Sequence, residues 1–281
     1  MCASERLEQI IEHVGDLPAV PETVSEVLLL TENSELDLSA VAHVIEKDPA
    51  LSAKILRVSN SPYYGMRQYV GTLKLALVIL GVREVRNIVL GISVFDALRS
   101  RRTESMLAGD LWKHSFEVAA FAKKLGDHLQ LGLHGEEFIT GLLHDIGKLV
   151  LMRQYEDEYA KIYSAAEGGN ATLCTAEVER FGFSHAEAAA ALAARWNFPQ
   201  TLTDGLLLHH PNAAIALREA RDPCLAAVVR IANLAARQRA AADAEAWALV
   251  SEKMPNMGEG ERDALLAGFA EEIASASAPS L

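Results

Sequence analysis

The 281-residue chain carries 26 Lys and Arg against 38 Asp and Glu, a formal charge of −12, with 50% hydrophobic and 23% charged residues. That apolar content excludes a disordered chain, and at roughly 100–200 residues per domain the length allows one large domain or two smaller ones. The acidic balance argues against nucleic acid as the main partner, because a duplex binder needs a cationic field.

The dominant period along the chain is helical, and strand-like alternation is scarce. Residues 4–14 read as a first helix, and Leu17-Pro18-Ala19-Val20-Pro21 as an extended link into a helix over 22–31. Asp37 or Ser39 is placed to cap a short helix through Glu46, and Asp48-Pro49 opens another to about Ser59. Asn60 to Gly65 is turn chemistry, Gly71-Thr72 opens a helix that stops at Gly81, and 82–99 reads as one more. The polar stretch Arg99 to Glu104 marks a boundary near residue 100. Beyond it the pattern predicts helices over 109–130, 136–155, 157–168, 172–180 and 184–196, one before His209-His210-Pro211, and one over 222–240. An ordered helix or two and a frayed tail are expected in the last forty residues. No run approaches the ~18 apolar residues of a membrane span, and the start lacks a signal peptide's pattern, so no membrane partner and a cytoplasmic location are expected. Cys2, Cys174 and Cys224 are too scattered for a disulfide framework or a thiolate metal site.

Chemistry concentrates in the second half. His144-Asp145 lies within Gly141-Leu142-Leu143-His144-Asp145-Ile146-Gly147-Lys148, with His114 thirty residues earlier, His185 forty-one later, and His209-His210 ending a further helix. Neutral imidazoles and a carboxylate from several helices suit Fe, Mn, Zn or Ni rather than Ca or Mg. Taken singly, each histidine reads as a surface or core residue, as His13, His43, His128 and His134 do here. The order of the whole set lifts it above that reading.

That order resembles the HD superfamily of metal-dependent phosphohydrolases. More closely, the chain resembles the HDOD family (HD-related output domain). The likeness rests on Leu56 to Gly65 (LRVSNSPYYG), Thr72 to Gly81 (TLKLALVILG), Leu17 to Pro21 and Asp48-Pro49-Ala50-Leu51, over roughly residues 10–240. It implies an all-α fold, with an amino-terminal helical subdomain (1–100) packed on an HD-type bundle (101–240) and a helical extension (241–281). His114 matches the first HD-superfamily histidine, and His144 and Asp145 the naming pair. Asn233 stands where HD enzymes carry a further aspartate, so this ligand position is degenerate. His185, His209 and His210 resemble the histidines that hold a second ion in dinuclear relatives, with Asp145 bridging. Asp145 and Lys148 are the catalytic candidates, Lys148 as a phosphate-facing cation or as a salt bridge to Asp145.

The resemblance implies a divalent transition metal, one or two Fe or alternatively Mn, Zn or Ni. It also implies a regulatory output module that binds a signalling protein or a nucleotide. The alternative is a metal-dependent phosphohydrolase or phosphodiesterase using the ion as Lewis acid; a third reading is an iron redox or oxygen sensor. Asn233, and Pro211-Asn212 without a Gly-Tyr-Pro signature, weigh against catalysis. Residues 65–102 hold Arg67, Lys74, Arg83, Arg86, Arg99, Arg101 and Arg102 against Glu84 and Asp96, a net of +5. Such a stretch is either a solvated face or a surface for an anionic partner.

Overall fold

The computed structural model describes residues 22–32, 37–98, 106–166, 170–211, 213, 215–237, 243–252 and 258–275. Among them all regular structure is helical. The first group is α1 (Glu22–Glu32), α2 (Leu38–Glu46), α3 (Pro49–Ser59), α4 (Leu73–Leu80) and α5 (Val82–Leu98). Next come α6 (Met106–His128), α7 (Glu136–Leu143), α8 (Ile146–Ala165), α9 (Asn170–Phe181), α10 (His185–Arg195) and α11 (Gln200–Leu207). The chain continues through α12 (Pro223–Ala235), α13 (Ala244–Ser251) and α14 (Glu259–Ser275), with single 3-10 turns at Pro62–Tyr64 and Leu217–Glu219. No described helix is long and apolar enough to cross a membrane. The expected helix over 4–14, His13, Cys2 and the boundary stretch around Arg99 to Glu104 lie outside the described residues.

Local chemistry fixes several starts. The Asp37 carboxylate accepts from Ser39 N, Asp48 from Ala50 N and Leu51 N, Thr72 from Leu75 N, and Asp222 from Leu225 N. Each satisfies amides that a helix start leaves without partners, worth about 1 kcal/mol apiece. Proline follows Asp48 and Asp222 at the first helical position, where its missing N–H is no loss. The turn after α3 is locked by Asn60, whose amide donates to Leu56 O and Val70 O and whose oxygen accepts from Val70 N, all at 2.8 Å. That pinning carries the chain from Ser61 to the start of α4.

Two apolar clusters share α6. One runs from Val24 through Leu111, Trp112 and Phe116 to Leu206, and so crosses residue 100. The other includes Val118, Phe121 and Leu125 of the same helix and extends to Trp247 and Ile273. Each fully buried aliphatic side chain contributes roughly 1.5–3 kcal/mol, so α6 is held on opposite faces.

The helix expected over 136–155 is interrupted, which corrects the reading of that segment. α7 ends at Leu143, Asp145 has non-helical φ −99° and ψ 8°, and α8 starts at Ile146. α8 then runs to Ala165, absorbing the element expected at 157–168 across a kink at Glu156 (φ 35°). The helix expected over 222–240 ends at Ala235.

Candidate metal centre

Five segments deliver the chemistry. His114 lies midway along α6, and the break between α7 and α8 presents His144, the α7 cap with helical angles (φ −53°, ψ −37°), followed by Asp145, whose angles are not helical. On a continuous helix these neighbours would diverge by ~100°. With the break, His144 Nε2 lies 3.2 Å from Asp145 Oδ2. His185 is the first residue of α10, set by a capping box in which Ser184 and Glu187 satisfy each other's backbone amides. α8 reaches it because residue 147 is glycine: a Cβ there would sit 2.7 Å from the His185 carbonyl carbon and 2.8 Å from Ala189 N. His209 and His210 follow α11, and Asn233 projects from α12. Buried Arg230 ties these last two elements together, donating to Leu208 O at 2.8 Å and to Glu245 Oε2 at 3.0 Å.

All eight residues singled out in the sequence come together around Asp145, and its two carboxylate oxygens face different surroundings. Oδ1 lies 3.2 Å from His185 Nε2 and 3.5 Å from His209 Nε2, and His185 Nε2 is 2.9 Å from His210 Nε2. Asp145, His185, His209 and His210 are all buried, with one ligand atom each within 4.8 Å of the others. Oδ2 instead accepts from Lys148 Nζ at 2.6 Å, with His144 Nε2 at 3.2 Å and His114 Nε2 at 3.6 Å. Of the two roles open to Lys148 in the sequence, the geometry displays the salt bridge. Asn233 Oδ1 lies 3.2 Å and Arg237 Nη2 3.3 Å from the same His114 nitrogen.

The donor set fits an ion. Donors bound at about 2.0–2.2 Å around one tetrahedral ion sit roughly 3.3–3.6 Å apart, close to the spacings around Oδ1. The buried atoms Asp145 Oδ1, His144 Nε2 and His209 Nε2 have no hydrogen-bond partner, a costly arrangement unless something satisfies them. Three of the imidazoles are also oriented from behind. His144 Nδ1 faces Gly141 O at 2.7 Å, His209 Nδ1 faces Leu206 O at 2.6 Å, and His185 Nδ1 faces Glu177 Oε2 at 2.7 Å. Such bonds fix the tautomer that leaves the Nε2 lone pair pointing inward. Burial holds His209 down to about 3. Burial, then the neighbouring rings of His209 and His185, keeps His210 well below the usual imidazole range. Burial would raise the Asp145 carboxyl, but His144 and Lys148 hold it well below its ordinary value. For His185, burial opposes the charge while the Glu177 carboxylate outweighs it, and its pKa is raised. When bound, an ion here supplies Lewis acidity.

Sequence reasoning missed the supporting residues. Glu177 on α9 contacts His185 through both its ring and its backbone N–H, and is itself held by the Tyr159 hydroxyl at 2.7 Å. Arg230 and Arg237 were also passed over. A Glu eight residues before His185 is visible in the sequence, but nothing local says that α9 folds back on α10. Of the basic stretch, Arg67, Lys74 and Arg83 are exposed and Arg86 is half-buried, whereas Arg99, Arg101 and Arg102 lie outside the described residues. Its two acids are engaged elsewhere, Glu84 with Tyr64 and Lys123, and Asp96 with Lys54.

The HDOD domain profile matches residues 17–212. An uncharacterized protein of Treponema pallidum is 28% identical over 232 residues, covering 81% of this chain and 44% of its own. The chain therefore spans less than half the length of that curated relative. Among solved structures, an HDOD domain protein of unknown function from Geobacter sulfurreducens aligns over 98% of both chains, with TM-score 0.78 and 21% identity. A Shewanella amazonensis protein described as a candidate phosphohydrolase is 28% identical, with TM-score 0.70, over 95% of this chain and 97% of its own. A Marinobacter aquaeolei protein described as a candidate signal transduction protein shares the fold, with TM-score 0.73 and 20% identity, over 97% of this chain and 63% of its own. With the family profile spanning well over half of its residues, on the same helical frame, this chain belongs to the HDOD family.

Proposed function

We propose that the protein is a regulatory output module that holds one transition-metal ion through Asp145, His185, His209 and His210, and that it acts by binding a partner rather than by turnover. The asymmetry of Asp145 carries this reading. Oδ1 is unpartnered among three imidazoles, whereas Oδ2 already has a buried cation, Lys148, at 2.6 Å. On that second side the chain supplies its own positive charge, and it offers the neutral Asn233 where a hydrolase would offer an anionic ligand. An amide oxygen with a fixed ammonium nearby is a poor setting for a second dication. A one-ion site cannot clamp both attacking and leaving oxygens as two-metal phosphoesterases do.

The second reading, a phosphohydrolase, is favoured by one observation. His114 and His144 are retained, and His144 Nε2 has no partner. The description of the Shewanella relative points the same way. Metal analysis of anaerobically purified protein, followed by turnover assays on generic phosphoesters and cyclic dinucleotides, separates the two. About one ion per chain without metal-dependent turnover supports the module; two ions with turnover support the enzyme.

A further inference from the structure

Helix α4 has the sequence LKLALVIL, apolar at every position but Lys74. Such a helix is normally buried all round. Here Leu73, Ala76 and Leu77 are buried, and the helix packs on α2, α3 and α5. The opposite face carries Leu75, Val78 and Ile79 at one helical stripe, 38%, 63% and 44% exposed, with Tyr69 just before the helix at 78%. These are four of the six large apolar side chains exposed among the described residues. In the sequence the stripe is flanked by Arg67, Lys74 and Arg83, exposed and in no ion pair among the described residues; Arg83 also lines a cleft with Glu84, Asp127 and Glu137. Residues 65–83 contain no acid at all, within a chain of charge −12.

We infer that the outer face of α4 is a docking surface for an acidic amphipathic helix of a partner protein, with the aliphatic stripe taking its apolar face and Arg67, Lys74 and Arg83 taking its carboxylates. The proposal rests on the regulatory reading above and names the class of partner. Charge selects the occupant. In a two-fold contact between two copies the patch would meet itself, setting these cations against their own kind. An acidic helix instead brings opposite charge to the rim, which steers encounter and fixes register. Leu75, Val78 and Ile79, at i, i+3 and i+4, form the kind of ridge on one helix against which a second helix packs side by side. The surface is built for permanence: Thr72 caps the helix start, Asn60 pins the preceding loop, and Gly81 (φ +85°) ends the helix.

The test uses the full metal-loaded chain and two synthetic helical peptides of about five turns. They share one leucine stripe; one carries glutamate on its flanks and the other lysine. Fluorescence anisotropy should show binding of the glutamate peptide at least tenfold tighter than the lysine peptide, weakening as salt is raised. Val78→Glu lies at an exposed position that tolerates substitution. It should weaken binding roughly 10–100-fold, the worth of one aliphatic anchor. Lys74→Glu with Arg67→Glu should reverse the preference between the peptides. Metal content and melting temperature are measured in the same samples. Lost peptide binding with intact metal isolates the surface, whereas altered metal stoichiometry bears on the regulatory reading alone. No binding of either peptide, equal binding of both, or binding unchanged by Val78→Glu would overturn the inference. So would a dimer dissolved by Val78→Glu, or recruitment of the chain to phosphatidylglycerol vesicles, each of which assigns the face to another occupant.

Discussion

Replacing Asn233 by aspartate tests the asymmetry of the centre at one atom. Asn233 is 2% exposed, with Oδ1 3.2 Å from His114 Nε2 and Nδ2 donating to His209 O at a long 3.4 Å. The substitution is isosteric. It forfeits that weak donor, worth about 0.5 kcal/mol at most at such length, and places a carboxylate beside His114, whose Nε2 also faces Arg237 Nη2 at 3.3 Å. Without metal, the buried charge should destabilise the chain by about 1–3 kcal/mol, or roughly 2–12 °C in melting temperature at 2–4 °C per kcal/mol. With metal, the new anionic oxygen joins His114, His144 and Asp145 Oδ2. Retention on that side should tighten about 10–100-fold, the scale on which support of a metal site is felt, equivalent to ~1.4–2.7 kcal/mol. Competition against a chelator at one pH, with metal counted per chain, reads both effects. The variant should hold up to a second ion and regain its lost thermal stability on metal addition. Identical chelator midpoints and identical stoichiometry in the natural chain and Asn233→Asp would refute the argument that position 233 governs the second ion.

Glu177→Gln keeps an acceptor for the Tyr159 hydroxyl but removes the charge behind His185. Metal affinity should fall about 10–100-fold while helix content stays constant, and an unchanged affinity would show that Glu177 only packs. Gly147→Ala forces α8 and α10 apart at the His185 backbone. It should cost about 1–3 kcal/mol in denaturant unfolding and weaken metal retention together, and full metal affinity in the folded variant would disconnect this close approach from the centre. Asn60→Ala removes three bonds from the loop before α4. A loss of about 1.5–4 kcal/mol is expected, with faster amide exchange at Val70; unaltered protection there would mean the loop is held by other contacts.

Much was readable from the sequence for identifiable physical reasons. Aspartate followed by proline, and threonine ahead of an apolar run, specify helix starts through bonds made within three residues, so Asp48 and Thr72 marked α3 and α4 without tertiary help. The histidines and Asp145 were legible because their order, together with the stretch around Asn60 to Gly65, resembles one family. The break at His144-Asp145 was not. Apolar periodicity runs straight through it, and the interruption serves contacts with α6, α10 and α12 that are remote in sequence. Which oxygen of Asp145 is free and which is held by Lys148, and that Glu177 stands behind His185, are likewise set by how α8, α9 and α10 pack. The outward face of α4 makes the same point in reverse. Composition alone assigns LKLALVIL to a core, and only the packing of α2, α3 and α5 on one side leaves Leu75, Val78 and Ile79 in solvent. Local hydrogen bonding and apolar period are properties of the chain; the convergence of distant side chains, and the burial of one helix face rather than another, exist only once the helices meet.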